Sequence, residues 1–297
     1  MTVPIVSRIA TEVVAALEGG PPVVVPTVIA VPPDAAVPLG AKLLVRAGGA
    51  TLGALDRGPL EAAVRSDARD AFRRHAFHSF YYSTEGARLD RQGYAVGQAE
   101  QQPSYQVMLE VHERSATLLI VGGGHIGKAL ATIGHLCGFS VAVVDDRPDY
   151  ANPERFPEAD HVLCGDFVET LRGFPIDANT YIVCVTRGHK HDELSLRQVV
   201  ASPAAYVGMI GSKRRVSAVL QHLLDDGYDP EAIARVHTPI GLDIGAETPE
   251  EIAIAIMAEV IQACRGGSGR PMRQVKKARR GIAPAERVPP EDQDVGG

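Results

Sequence analysis

The feature that most restricts this chain is Gly122-Gly123-Gly124-His125-Ile126-Gly127, because of where it stands. It follows the apolar, β-branched run Thr117 to Val121 and opens a helical pattern. A G-x-G-x-x-G placed between a strand and a helix is the fingerprint of a dinucleotide-binding βα unit, and it commits the surrounding chain to a parallel sheet. Gly122 permits the tight turn, Gly124 lets a diphosphate come close to the backbone, and Gly127 lets helix and strand pack together. The amides at the helix start, including those of Gly123, His125 and Ile126, face the anion. Asp145-Asp146-Arg147 ends the next apolar run, with Asp145 following Gly122 by 23 positions. An acid there can accept from a ribose 2′-hydroxyl and disfavour a 2′-phosphate, whereas Arg147 complicates a preference for NAD over NADP.

The same alternation continues downstream. Apolar runs at Thr117 to Val121, Ser140 to Val144, His161 to Leu163, Thr180 to Val185 and Ala204 to Ile210 alternate with helical stretches, so this half reads as a doubly wound α/β fold. A last helix opens at Thr248-Pro249-Glu250-Glu251, where Thr248 and Glu251 can form a capping box. Apolar residues surround that helix, which implies burial. Upstream, Ile5, Ile9, Val13 and Leu17 form a helical stripe, and Leu60, Val64, Ala68, Ala71 and Phe72 form another. Strands are expected at Val23 to Val31, Lys42 to Arg46, Phe77 to Thr84 and Tyr105 to Val111. The division is therefore an α+β domain over 1–113, a Rossmann-like domain over 114–266, and a Gly-, Pro- and charge-rich segment over 267–297 that reads as a disordered tail.

A length of 297 residues accommodates two domains, and 45% hydrophobic with 22% charged residues is ordinary for a globular chain. A net charge of -6 supplies no general positive field for nucleic acid. No apolar run reaches the roughly 20 residues of a membrane span, and no signal peptide pattern is present, so a cytoplasmic protein is expected. Cys137, Cys164, Cys184 and Cys264 include no CxxC pair. Cys164 and Cys184 lie in apolar runs, where a free thiol is expected to pack as a small hydrophobe.

Three further segments carry polar chemistry. Thr186-Arg187-Gly188-His189-Lys190-His191-Asp192 follows a strand, at the edge where ligands of open α/β sheets lie. His189, His191 and Asp192 have weak metal-ligand spacing, and the alternatives are proton transfer by a histidine or helix capping by Asp192. Gly211-Ser212-Lys213-Arg214-Arg215 is again a strand end before a helix; cations at a helix start oppose the macrodipole and ask for an anion. In Pro239 to Thr248, Gly241 and Gly245 permit close backbone approach. No Ser/His/Asp or Cys/His arrangement is legible, so covalent catalysis is unsupported and no catalytic residue is assigned.

Taken together, VGGGHIGKAL, VVDDRPDYANPERFP, TRGHKHDEL, GMIGSKRR and PIGLDIGAETPEEIAIAIMAE resemble the carboxyl-terminal domain of the xanthine dehydrogenase accessory (XdhC/CoxI) family. A weaker likeness to that family's amino domain runs through Pro38 to Val45 and Gly53 to Glu61. The resemblance implies a chaperone that binds the molybdenum cofactor (molybdopterin), protects it during sulfuration and delivers it to a xanthine dehydrogenase-type molybdenum hydroxylase. It also implies a cysteine desulfurase as a partner and a homodimer. Cofactor contacts are expected at Gly122 to Gly127, Asp145 to Arg147, Arg187 to His189, Gly211 to Lys213 and Gly241. An NAD(P)-dependent oxidoreductase using the same fingerprint is the alternative, and a nucleotide-sensing module is a third reading. One departure stands out: Pro59 replaces the cysteine that usually follows the amino domain's glycine run, and Asp56-Arg57 add bulk beside it.

Overall fold

The computed structural model describes residues 4–72, 78–89 and 103–275. The described residues fall into two compact units, one made of those up to Glu113 together with 271–275, the other spanning Arg114–Arg270. Phe77 of the expected fourth strand lies outside the described residues. So does the basic run Lys276, Lys277, Arg279 and Arg280 of the expected tail.

In the first unit the order is α1 (Ile5–Leu17), β1 (Val23–Ala30), β2 (Leu43–Arg46), β3 (Thr51–Gly53), α2 (Pro59–Phe72), β4 (His78–Ser83) and β5 (Ser104–His112). The strands form an antiparallel sheet in the order β3-β2-β1-β5-β4. Alternation along β1 divides its side chains. Val24 and Val28 join Leu43, Val45, Val107, Leu109 and the α2 residues Leu60, Val64 and Ala68 in one core. Val23 and Val25 pack with Ile9 and Ala16 of α1 and with Leu44 and Leu52 in another. Period-two alternation thus lets one short sheet bury both faces. The sequence reading missed β3, whose three residues are too few to show a period.

The second unit runs β6 (Thr117–Val121), α3 (His125–Leu136), β7 (Ser140–Asp145), β8 (His161–Cys164), α4 (Phe167–Gly173), β9 (Thr180–Cys184), α5 (His189–Val199), β10 (Tyr206–Met209), α6 (Lys213–Asp225), α7 (Pro230–Ala234) and α8 (Pro249–Arg265). All five strands are parallel, in the order β10-β9-β6-β7-β8. The doubly wound expectation therefore holds. Leu118 and Ile120 of β6 face the side covered by α3 and α8, with Leu130, Ile256 and Val260. Leu119 and Val121 face Leu196, Val199, Val216 and Val219 of α5 and α6. A sheet covered on both faces needs apolar residues at every position, which is why its strands read as continuous runs.

Two expectations are corrected. Cys164 is exposed, unlike the buried Cys184, because β8 is the edge strand and its ends stand in solvent. The α8 helix buries Ala253, Ala255, Ile256, Met257 and Val260, but Ile254 is 52% exposed and Ile261 38%. Its apolar residues thus form a broad buried face, with Ala263 exposed alongside these two.

Among the described residues no helix is long and apolar enough to cross a membrane.

Candidate site at the carboxyl edge of the parallel sheet

The strand order changes direction at β6. The chain runs outward through β7 and β8, then returns to add β9 and β10 on the opposite side of β6. In open α/β sheets such a reversal leaves a crevice beyond the strand ends, and ligands lie there. Helices open along this edge after each of β6, β8, β9 and β10, and those after β6, β9 and β10 form one set.

At the first, Gly122 adopts φ +118°, and a Cβ on it would lie 2.6 Å from the Val185 carbonyl oxygen. Gly127 meets the Gly122 carbonyl in the same way, with a Cβ position only 1.9 Å from that oxygen. These two glycines are demanded by close packing of turn, helix and neighbouring strand. Gly124 differs: it is the N-cap of α3, and a Cβ there would meet nothing within 4 Å. Its carbonyl accepts the first helical bond from Lys128, so the amides of His125, Ile126 and Gly127 have no partner within the helix. His125 itself is exposed, whereas Ile126 packs into the core beside α3.

The three helix starts share one property. Neither Gly124 before α3, Gly188 before α5 nor Ser212 before α6 makes a side-chain cap hydrogen bond. The other helices of this unit are closed differently. Asp166 caps α4, Asp229 caps α7, and Thr248 with Glu251 forms the expected capping box on α8. Uncapped amides at adjacent strand ends concentrate partial positive charge at one edge. Lys213, Arg214 and Arg215 add full charges there and make no salt bridge among the described residues. Gly211 and Gly241 flank this edge as half-buried loop residues, with Gly241 at φ +104°.

The acidic side of the edge is internally satisfied. Asp145 is 2% exposed and accepts four hydrogen bonds. Its Oδ1 takes the Arg147 amide at 3.1 Å and Nε at 2.9 Å; its Oδ2 takes the Gly123 amide at 2.9 Å and the Arg147 Nη2 at 3.0 Å. Burial would push this carboxyl up, but the bonds from Arg147 and the Gly123 amide outweigh it and hold the group below the ordinary aspartate range. Asp145 therefore braces the fingerprint turn in this structure and does not present an open carboxylate. Asp146 forms a bidentate pair with Arg187, both bonds at 2.9 Å.

The described side chains of the histidine-rich loop are held by protein contacts. Asp192 is buried and accepts from the Thr186 amide at 3.0 Å and hydroxyl at 2.6 Å, which fixes the turn after β9. The His191 ring lies against Phe167, centroids 5.4 Å apart. The backbone of His189 opens α5; its side chain lies outside the described atoms. No cluster of three His, Cys, Asp or Glu side chains fit to hold a metal occurs among the described residues.

Several contributors escaped the sequence reading. A Cβ on Gly123 would fall 1.9 Å from the Tyr150 carbonyl oxygen, and Arg155 Nε donates to the Gly123 carbonyl at 3.0 Å. The segment after β7 thus folds over the second glycine. Farther along, Glu259 of α8 accepts from the Gly241 amide at 2.6 Å and the Tyr206 hydroxyl at 2.9 Å, and its other oxygen lies 3.1 Å from His237 Nδ1. Burial, reinforced by the Glu259 charge and bond, pushes the Tyr206 phenol far above its usual range. Arg155 lies within the family-like block VVDDRPDYANPERFP without any spacing that marks it, and no local pattern marks Glu259.

In the first unit the corresponding glycine-run segment is closed. Asp56 Oδ1 accepts from the Gly58 amide at 2.8 Å and the Glu61 amide at 3.0 Å. Glu61 Oε2 accepts from the amides of Leu55 at 2.9 Å and Arg57 at 3.2 Å, and Pro59 has no amide hydrogen.

Residues 118–260 match the family model described as the XdhC Rossmann domain, and residues 16–82 match that of the XdhC and CoxI family. The chain is 31% identical over 230 residues to Uncharacterized protein YqeB of Escherichia coli K12, covering 77% of this chain and 41% of that protein. It is 33% identical over 150 residues to a probable xanthine dehydrogenase subunit of Bacillus subtilis 168, covering 50% and 43%. The chain thus spans less than half the length of both curated relatives. A crystal structure of a xanthine dehydrogenase from Bacillus halodurans aligns with a TM-score of 0.49 at 21% identity, covering 92% of this chain and 98% of that one.

Proposed function

Because the chain belongs to the XdhC and CoxI family, we propose that it assists maturation of a xanthine dehydrogenase-type molybdenum hydroxylase by holding the molybdenum cofactor through its phosphate. The observation that carries this reading is the set of three uncapped helix starts at the ends of β6, β9 and β10, with Lys213, Arg214 and Arg215 beside them. That donor set is suited to a phosphate ester: amides supply directed bonds, and cations offset the charge. The group, when bound, supplies the molybdenum centre that the client hydroxylase requires. The chain's own part is to bind, orient and release it. The amides of His125, Ile126 and Gly127 hold the anion, Gly124 leaves room for its approach, and the α6 cations neutralise it. The Gly241 loop is held in place by Glu259 and bounds the site.

The same proposal includes a cysteine desulfurase as sulfur donor, a second copy of the chain as partner, and the cytoplasm as the place of work. Co-purification with the desulfurase and sedimentation of the purified protein address the first two.

The direct test titrates purified protein anaerobically with molybdenum cofactor released from a molybdoenzyme, and then adds apo-hydroxylase. Saturable binding and restored hydroxylase activity are expected. Gly124→Asp places a carboxylate at the cap of α3, where it satisfies the amides itself; binding is expected to fall by about tenfold or more while the fold is kept. Equal binding by wild type and Gly124→Asp would remove the assigned site.

A further inference from the structure

The same edge contains a device that decides which phosphate compounds fit. A nicotinamide dinucleotide on this fold needs the acid at the end of the second strand to accept its adenosine ribose hydroxyls, or an arginine there to take a 2′-phosphate. Here both groups are spent on each other. Asp145 is nearly inaccessible and already accepts four bonds, two of them from the Arg147 guanidinium. A carboxylate offers about four lone-pair positions, so none is left for a ribose. Arg147 is equally engaged: its guanidinium also lies 3.5 Å from the centre of the Tyr150 ring. Taking up a 2′-phosphate would pull it off Asp145 and leave two anions facing each other.

The covering segment is fastened in two more places. The Tyr150 carbonyl sits where a Gly123 side chain would begin, and Arg155 Nε holds the Gly123 carbonyl at 3.0 Å. Opening the β7 side therefore breaks the Asp145 pair, the Arg147 stacking and the Arg155 bond together. On the β9 and β10 side Arg187 pairs with Asp146 and Asp192 holds the Thr186 turn, but the helix starts stay open: the Gly188 and Ser212 caps make no side-chain bond, and a Cβ on Gly188 would meet nothing within 4 Å.

We infer that Arg147 is a specificity-determining residue: by occupying Asp145 it excludes NAD and NADP and reserves the edge for a compact phosphate ester with no nucleoside arm over β7. This rests on the reading above only for where the phosphate sits. Exclusion works here by prior satisfaction of the recognition group, since a ligand must break a buried charge-assisted pair before it gains its own bonds.

The experiment is calorimetric titration of the full chain with NAD, NADP and molybdenum cofactor, in wild type, Arg147→Ser and Arg147→Lys. Wild type is expected to show no saturable NAD or NADP binding. Arg147→Ser bares Asp145 and should gain NAD affinity by about tenfold or more, with no gain for NADP because the bared carboxylate repels the 2′-phosphate. Arg147→Lys keeps the charge but cannot bridge both oxygens, so it should gain less; it serves if circular dichroism shows Arg147→Ser unfolded. Tight NAD binding by wild type overturns the inference, as does a folded Arg147 variant with no NAD gain. Wild type that rejects both dinucleotides and the molybdenum cofactor, with the variant gaining NAD, would sink the proposed function and leave this inference standing.

Discussion

The two glycine-rich turns of this protein solve one problem in opposite ways. Each ends at a helix start and so exposes backbone amides. At Gly53 to Glu61, Asp56 and Glu61 turn back and accept four of those amides. At Gly122 to Gly127 only the Gly123 amide is taken by a carboxylate, and α3 begins without a side-chain cap. A carboxylate within the turn does internally what a bound anion would do from outside. On the proposed function, the difference assigns anion binding to the second unit and gives the first unit's turn a self-closing, structural role. It also accounts for Pro59: a turn already closed by its own acids loses little from a position that cannot donate.

The strongest way to break this comparison is to crowd the second turn. Gly123→Ala brings a methyl group against the Tyr150 carbonyl, and the expected cost is about 3 kcal/mol in urea unfolding. Gly124→Ala, with open space around it, should change stability by under about 1 kcal/mol. Equal costs for the two would mean that the segment after β7 does not seat on Gly123.

Next in size is Glu259→Ala, which strands the buried Tyr206 hydroxyl and the Gly241 amide. A loss of about 2 to 3 kcal/mol is expected. Glu259→Gln keeps one acceptor and should recover part of it, and a null effect in both would deny that α8 holds this loop.

A smaller effect, about 1 kcal/mol, is expected for Asp56→Ala, comparable to loss of a helix cap. Its more useful readout is binding: molybdenum cofactor affinity should stay within about twofold of wild type. A larger drop would place ligand contacts in the first unit and end the contrast.

The least effect concerns acid. Asp145 is held below the ordinary aspartate value of 3.8, so the unfolded chain takes up its proton first as pH falls. Its contribution to stability is complete above that value and declines below it as pH approaches the lowered native pKa. Glu193 and Asp177, also held low by Arg197 and by local bonds, contribute in the same direction. Asp145→Asn should therefore show a shallower, not an absent, loss of stability between the ordinary value and the acid limit, measured by chemical denaturation across pH.

Much of the architecture was legible because it rests on local rules. The five parallel strands, the fingerprint turn and the capping box at Thr248 and Glu251 all stand where period, glycine placement and cap chemistry put them. The short strand β3 and the exposed Cys164 were not legible, since neither strand length below a period nor edge position is encoded locally. The candidate site divides the same way. Gly122 and Gly127 were readable as packing glycines. The roles of Gly123, Arg155 and Glu259 required knowledge of what packs against them.

By itself, then, the amino-acid sequence determined a parallel α/β unit with a glycine-fingerprint turn between strand and helix, because strand period, glycine freedom and helix capping act over a few neighbouring residues. Tertiary structure decided which of its polar groups are available. Asp145 reads as a ribose acceptor in one dimension and becomes a buried brace in three, because the Gly123 amide reaches it only when the β6 and β7 turns lie side by side, while Arg147, two residues on, folds back over its remaining lone pairs.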